Sequence, residues 1–306
     1  MASFWKDNPC SPTWKGFLDS WMNGYPSKLI EPNPPNQKIY LSDLFIRYAS
    51  PSDLEQLPEF WTRFFSAGSR CIIPLLHIQK MVSSKRWDII IVSDSQGTVI
   101  GSLVRRWVKG LHMKEVVWQK AGIIEYFCIH PRYRKKGIGR ALLSCIHNVT
   151  ERPLPPHLML LEGIQVKIPP ISAGVYVSKR CQGVLQAIPV LENLPTIWKS
   201  CVKGVLSGIW SEYDEPLETT FWKMPNGYVA IWNTFHHTIP DGARIGILVG
   251  YSSVSCAEEA TQSLTHGYGV LLMTSLNLEW TLDSPFQWLA YNTASGFVGG
   301  FPSICF

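Results

Sequence analysis

The sequence predicts a mixed α/β fold (α+β) made of two similarly ordered halves in one compact body, and three features of the 306-residue chain predict it. First, residues 121–149 (AGIIEYFCIHPRYRKKGIGRALLSCIHNV) read as strand, glycine-containing loop and helix. The run 123–129 is apolar, β-branched and aromatic between Gly122 and Pro131, which is the composition of a buried strand. From Ile138 on, Ala141, Leu142, Cys145, Ile146 and Val149 recur at three- and four-residue steps, the period of an amphipathic helix. Second, the order strand, strand, strand, helix, strand over 87–162 recurs over 219–276, as in a degenerate duplication. Third, residues 284–306 carry no formal side-chain charge. Chain ends are usually polar and frayed, so this tail is expected to thread inward and bury its α-carboxylate.

The remaining elements follow in order. Residues 1–38, rich in Pro, Trp and Asn, read as an arm laid across a surface and held by Phe4, Trp5, Trp14 and Trp21. A strand at 44–49 leads to Ser50-Pro51-Ser52-Asp53, a helix start, and a helix to about Phe65. A second helix is expected over 71–82, with Pro74 inside it. Strands 87–93 and 98–108 are joined by a turn at 94–97. After the central strand and helix, Pro153, Pro155 and Pro156 stop the helix, and strands follow at 158–166 and 172–178. A second unit begins near Val190, with a helix at 194–206 and strands at 219–224, 227–236 and 244–253. A helix at 255–266 and a strand at 268–276 complete it. The expected organisation is therefore an arm (1–38), a first domain (39–189) and a second domain (190–306).

Composition narrows the function. With 46% hydrophobic and 17% charged residues the chain can bury a core. A net charge of +5, with its one basic run at 132–140, does not argue for nucleic acid. The eight cysteines form no Cys-x-x-Cys pair, which reads as reduced core thiols and a cytoplasmic setting. No His-Glu-x-x-His pattern is present, no metal is expected, and His236-His237 reads as strand surface. Proline, glycine and asparagine in the tail argue against a transmembrane segment. Ser303 rather than a cysteine stands fourth from the end and Ala2 follows Met1, so neither prenylation nor N-myristoylation of this chain itself is expected. A monomer is expected.

The chemistry is concentrated in Arg134-Lys135-Lys136-Gly137-Ile138-Gly139, followed by Arg140 and Ala141. A glycine-containing loop that opens a helix offers free N–H groups and the positive dipole end to a phosphate, and the surrounding cations suit a pyrophosphate. The pattern resembles the acyl-CoA signature of the GNAT acyltransferases, Arg/Gln-x-x-Gly-x-Gly/Ala, and follows a strand as it does there. The second half has no such sequence before its helix, so no CoA is expected there.

The chain as a whole is similar to the glycylpeptide N-tetradecanoyltransferases (N-myristoyltransferases), which are tandem-GNAT enzymes. Phe4-Trp5-Lys6-Asp7-Asn8-Pro9 resembles the family's N-terminal segment that lies on acyl-CoA. Glu125-Tyr126-Phe127-Cys128-Ile129-His130 resembles the family strand whose backbone N–H groups hold the thioester carbonyl. Leu161-Glu162-Gly163, Val175–Lys179, Phe221–Pro225 and Leu289-Ala290-Tyr291-Asn292 resemble further family segments in the same order. The chain departs from the family where the acidic loop after the first helix would be, which here is Ser66-Ala67-Gly68-Ser69-Arg70. It also keeps the plainer Arg134…Gly139 loop of simple acetyltransferases.

The resemblance implies two GNAT-like halves on a mixed, mostly antiparallel central sheet. It implies transfer of a myristoyl group from myristoyl-CoA to an N-terminal glycine amine of a peptide or protein. Tyr126 and Phe127 would supply backbone N–H groups to the oxyanion. Phe4, Trp5, Cys128, Ile129, Arg134, Lys135, Lys136, Gly137, Ile138, Gly139, Arg140 and Ala141 would hold acyl-CoA. Glu125, Glu162, Gly163 and Asn292 would border the substrate. The terminal carboxylate of Phe306 would act as base, with Glu125 and Glu162 as rival bases. Two other readings stay open: an N-acetyltransferase using acetyl-CoA, and a non-catalytic module of the same fold.

Overall fold

The computed structural model describes residues 28–29, 41–65, 71–84, 86–113, 116–148, 153–162, 171–183, 185–204, 209–214, 219–274, 281–291 and 293–294. Strands β1 (Lys28–Leu29) and β16 (Thr293–Ala294) form a small pair of their own. The other fourteen strands make a single sheet.

In the first half, β2 (Leu44–Tyr48), β4 (Trp87–Asp94), β5 (Val99–Met113), β6 (Val116–Ile129) and β7 (His157–Glu162) lie side by side. All neighbours are antiparallel except β6 and β7, which run parallel. Parallel strands need a crossover, and the helix α3 (Ile138–Ser144) supplies it. Helices α1 (Leu57–Phe64) and α2 (Leu75–Ser83) cover the opposite face. Strand β4 shows why both faces hold: Ile90 and Val92 pack with Ile138 and Leu142 of α3, whereas Ile89 and Ile91 pack with Leu57, Trp61 and Ile78. Side chains alternate along a strand, so an unbroken apolar run belongs to a sheet covered on both sides.

The second half repeats the arrangement with β11 (Thr219–Met224), β12 (Gly227–Thr238), β13 (Arg244–Tyr251) and β14 (Val270–Thr274). Here β13 and β14 are the parallel pair, and α5 (Val254–Thr261) is the crossover helix. Helix α4 (Leu194–Gly204) buries Trp198 and Cys201 on the other face. Strand β9 (Ile188–Val190) closes the edge beside β11.

The halves are interlocked by exchanged strands. β8 (Ser172–Arg180) follows β7 in the chain but pairs with β14, while β15 (Thr281–Tyr291) follows β14 and pairs with β7. β8 and β15 then pair with each other at the centre of the sheet. β3 (Cys71–Ile72) crosses to the far end of β12, and β10 (Ile209–Ser211) to the far end of β5. The first part of the uncharged tail is thus an interior strand, with Trp288 and Leu289 buried in it.

Several sequence expectations shift. The helix expected over 71–82 is instead β3 followed by α2, because Pro74 serves as the extended N-cap of α2. The helix expected from Ser50 is a single 3₁₀ turn, Pro51–Asp53, separated from α1. The central helix ends at Ser144 and tightens into a 3₁₀ turn, Cys145–His147, rather than running to Val149. Strands β5 and β6 are longer than their apolar cores, since their far ends form a ribbon that β10 extends.

Candidate functional site

The site lies where β6 parts from β7. Their pairing covers only Gly122–His157, Ile123–Leu158 and Ile124–Met159. Beyond it β7 pairs with β15 through Leu160, Leu161 and Glu162, and β6 continues alone on that side. Gly122 permits the close approach, since a Cβ there would lie 2.2 Å from Cδ2 of His157.

One step after the pairing ends, the ladder between β5 and β6 is irregular. Ser102 opposes Cys128 and Val104 opposes Glu125, so Tyr126 and Phe127 together face Leu103 alone. This is a β-bulge, and Tyr126 sits in it at φ +45°. The extra residue reverses the side-chain alternation. Ile124 packs under α3, but Tyr126 and Cys128 pack against α1 and α2, as Phe127 and Ile129 turn to the α3 side.

Tyr126 is fixed on all sides. The Trp61 indole N–H donates to Ser102 Oγ (2.8 Å), and the Ser102 hydroxyl donates to the Tyr126 carbonyl (2.9 Å). The Tyr126 ring stacks on Trp61 at 4.2 Å. Its hydroxyl lies 2.9 Å from Nε2 of His77 and 3.3 Å from Nε2 of His236. Burial, with His236 and Lys80 nearby, lowers the His77 pKa to about 3. Burial, with His237 nearby, lowers that of His236 to about 4. Both imidazoles are therefore neutral at pH 7.

Beyond the strand, the loop from His130 to Gly137 carries Arg132, Arg134, Lys135 and Lys136, all exposed. The Arg134 Nε donates to the Ile129 carbonyl at 3.0 Å, tying the loop to the strand end. Gly137 is the N-cap of α3 at φ +81°, a conformation glycine adopts without strain, and no side chain caps the helix. The first N–H groups of α3 are therefore left to an outside acceptor. Ile138, Gly139 and Ala141 are buried under that start, while Arg140 is exposed.

The structure thus places Tyr126, Phe127, Cys128 and Ile129 at the end of β6, with the side chains of Tyr126 and Cys128 on the α1–α2 side, and residues 134–141 in the loop and helix start that follow. Burial pushes the Cys128 thiol up to about 12, so it stays protonated. Glu125 Oε1 accepts from Nη2 of the buried Arg106 at 3.0 Å, and its Oε2 is buried without a partner among the described residues. Glu162 ends β7 opposite Phe286. Phe4, Trp5, Gly163, Asn292 and Phe306 lie outside the described residues. His236 is not strand surface as expected: β3 and the bulge enclose it, and it is half-buried against Tyr126 and Cys71. His77, Ser102, Trp61 and Arg106 also escaped sequence reading, because each gains its partner only through tertiary pairing. Among the described residues no group of three or more His, Cys, Asp or Glu could hold a metal ion, and no helix is long and apolar enough to cross a membrane.

The same fold occurs in solved structures. Two crystal structures of Saccharomyces cerevisiae N-myristoyltransferase with bound myristoyl-CoA superpose on 96% of this chain, with TM-scores of 0.69 and 0.71. They are covered over 93% and 89% of their own lengths, at 11% identity in each case. The fold is shared with N-myristoyltransferase. A third structure of the yeast enzyme, with myristoyl-CoA and inhibitors, gives a TM-score of 0.69 at 9% identity, covering 96% of this chain and 90% of its own. Residues 56–149, which span α1 to the end of the α3 segment, match the acetyltransferase (GNAT) family. No curated protein matches the chain in sequence.

Proposed function

We propose that the chain is an acyl-CoA-dependent N-acyltransferase that moves a long-chain acyl group, myristoyl, to the N-terminal glycine amine of a peptide or protein. The observation that carries this reading is the opening between β6 and β7 with the Tyr126–Phe127 bulge at its apex and the uncapped start of α3 beside it. The CoA pyrophosphate would meet the N–H groups of Gly139 and its neighbours, with Arg134, Lys135, Lys136 and Arg140 around it. Phe4 and Trp5 of the arm would cover the acyl-CoA. The thioester carbonyl would point at the backbone of Tyr126 and Phe127. Amide donors placed there stabilise the tetrahedral oxyanion, and losing one typically costs about 10²–10³ in rate.

No Ser or Cys nucleophile is required, because the amine attacks directly. An α-amino group has a pKa near 8 and must shed a proton first. The proposed acceptor is the Phe306 carboxylate, raised from about 3.5 by burial. Of the rivals, Glu125 is already tied to Arg106. Glu162 and Gly163 at the end of β7, with Asn292, would border the amine. A myristoyl chain gains roughly 0.8 kcal/mol per buried CH₂, which favours a long donor over acetyl wherever an apolar pocket receives it. The organisation into an arm and two GNAT-like domains, and a cytoplasmic monomer, belong to the same proposal.

The test is turnover of acetyl-, decanoyl- and myristoyl-CoA with an N-terminal-glycine peptide, repeated after adding one alanine beyond Phe306. Turnover with myristoyl-CoA that the added residue abolishes is the expected result. Acetyl turnover indifferent to the extension would instead identify an acetyltransferase, the reading that the simple 134–139 loop favours. Absence of turnover with every donor would leave a non-catalytic module.

A further inference from the structure

The residues around Tyr126 form a polar chain inside an otherwise apolar region. It runs from Nε2 of His77 to the Tyr126 hydroxyl (2.9 Å), on to Nε2 of His236 (3.3 Å), and from Nδ1 of His236 to Cys71 Sγ (3.6 Å). Four elements supply it: α2, β6, β12 and β3. Its last link exists because β3 crosses over to pair Cys71 with Thr238 and Ile72 with His237. Among the described residues, two of the five non-glycine residues with positive φ belong to this cluster or border it, Tyr126 at +45° and Phe235 at +55°. Phe235 lies 5.6 Å from the His77 ring, with Lys80 Nζ 4.5 Å above it. Backbone strain of this kind persists only where the surroundings impose it, and it concentrates at functional sites. His77 is fully buried, and its Nδ1 has no partner among the described residues.

Building on the acyl-transfer reading, we propose that Tyr126 and His236 form a proton-relay site for the attacking amine, with His77 as the positioning residue that holds the phenol. The amine, made neutral by losing its first proton to the Phe306 carboxylate, forms the C–N bond with its lone pair, and one of its two remaining N–H bonds breaks toward the Tyr126 oxygen. The Tyr126 O–H proton passes to Nε2 of His236 in the same movement. The thioester C–S bond breaks with its electron pair on the CoA sulfur. The proton on His236 then leaves to that thiolate or to water, so thioester and amine become amide and thiol.

The exit is through His236 rather than His77, because a cation on the fully buried His77 would face Lys80 and lose all hydration. His236 is half-buried at the end of β12, with His237 on the same strand, Cys71 on β3, Tyr126 on β6 and the His77 ring of α2 at 5.9 Å as its titratable neighbours. Both imidazoles stand neutral at working pH, as an acceptor requires.

The test uses the full chain and whichever acyl-CoA donor the wild type turns over. Tyr126→Phe keeps the ring stacked on Trp61 and removes only the hydroxyl. His236→Ala removes the acceptor, and His237→Gln is the control expected to leave the rate unchanged. The expected result is a fall in kcat of about 10²-fold for the first two variants, the lower range for a proton-transfer group. KM for the acyl-CoA should be unchanged, and added imidazole should restore the His236→Ala rate in proportion to its neutral fraction. Undiminished kcat in Tyr126→Phe and His236→Ala, beside an active wild type, overturns the relay and leaves the acyl-transfer reading intact. A loss in His236→Ala that imidazole fails to restore, with Tyr126→Phe fully active, also overturns it. A wild type that turns over no donor removes the acyl-transfer reading, and the relay with it.

Discussion

The two halves of the sheet have the same frame and different equipment. In each, three antiparallel strands are followed by a helix and a parallel fourth strand. In each, the third strand bulges where the parallel pairing stops: Tyr126–Phe127 just past Ile124, and Val249 just past Leu248. The bulge of the first half holds its tyrosine at φ +45°, whereas no residue of β13 has a positive φ. Val249 is simply buried under α4 with Trp198 and Cys201. The helix starts differ more. α3 follows a basic loop and an uncapped glycine. α5 follows β13 after only Ser252 and Ser253, and the Ser253 side chain accepts from the Cys256 N–H. Ser252 Oγ is taken up by the Tyr228 N–H at 2.8 Å. A helix N-terminus binds an anion only if its donors are free, so the second half has used internally what the first half leaves open.

The largest effect that should separate the halves is acid lability. His77 and His157 are fully buried, and burial lowers both pKa values to about 3. In the unfolded chain each takes up a proton near pH 6.5. The folded pKa is the lower one, so this stabilisation is complete above about 6.5 and is lost as pH falls toward 3. Between those limits each group removes about 1.4 kcal/mol per pH unit, roughly 3 for the pair. The urea midpoint should drop steeply from pH 7 to pH 5. The second half has imidazoles of lowered pKa too, His236 on β12 at about 4 and the buried His266, but neither belongs to β13 or β14. His157 is itself in the β6–β7 pairing, so hydrogen exchange at pH 5 should open β6–β7 before β13–β14. Equal loss of protection in both would contradict the assignment.

Next in size is Gly137→Asp, which places a carboxylate at the uncapped start of α3 in a residue that tolerates positive φ. CoA binding measured by calorimetry should weaken roughly 10- to 100-fold, with little change in Tm. Unchanged affinity would move the pyrophosphate away from α3. The smallest effect is expected from Ser253→Ala in the second half. Losing that cap should cost about 1 kcal/mol of stability by thermal unfolding and leave CoA affinity as it was.

Sequence alone determined the local pieces: the strand, basic loop and helix of 123–144, the hairpins at 94–97 and 225–227, and the absence of a second loop of that kind. Periodicity and turn chemistry act between near neighbours, so one chain segment carries the whole signal. The order along 87–162 and 219–276 also showed the repeated frame. Only the tertiary structure decided that 281–291 would lie between β7 and β8, that the strand would turn over at Tyr126, and that Cys71, His77, Tyr126 and His236 would meet. Those outcomes depend on which strand edges pair across more than a hundred residues. Backbone hydrogen bonds are alike at every edge, so the partner is chosen by packing of the assembled sheet, and no local pattern records it.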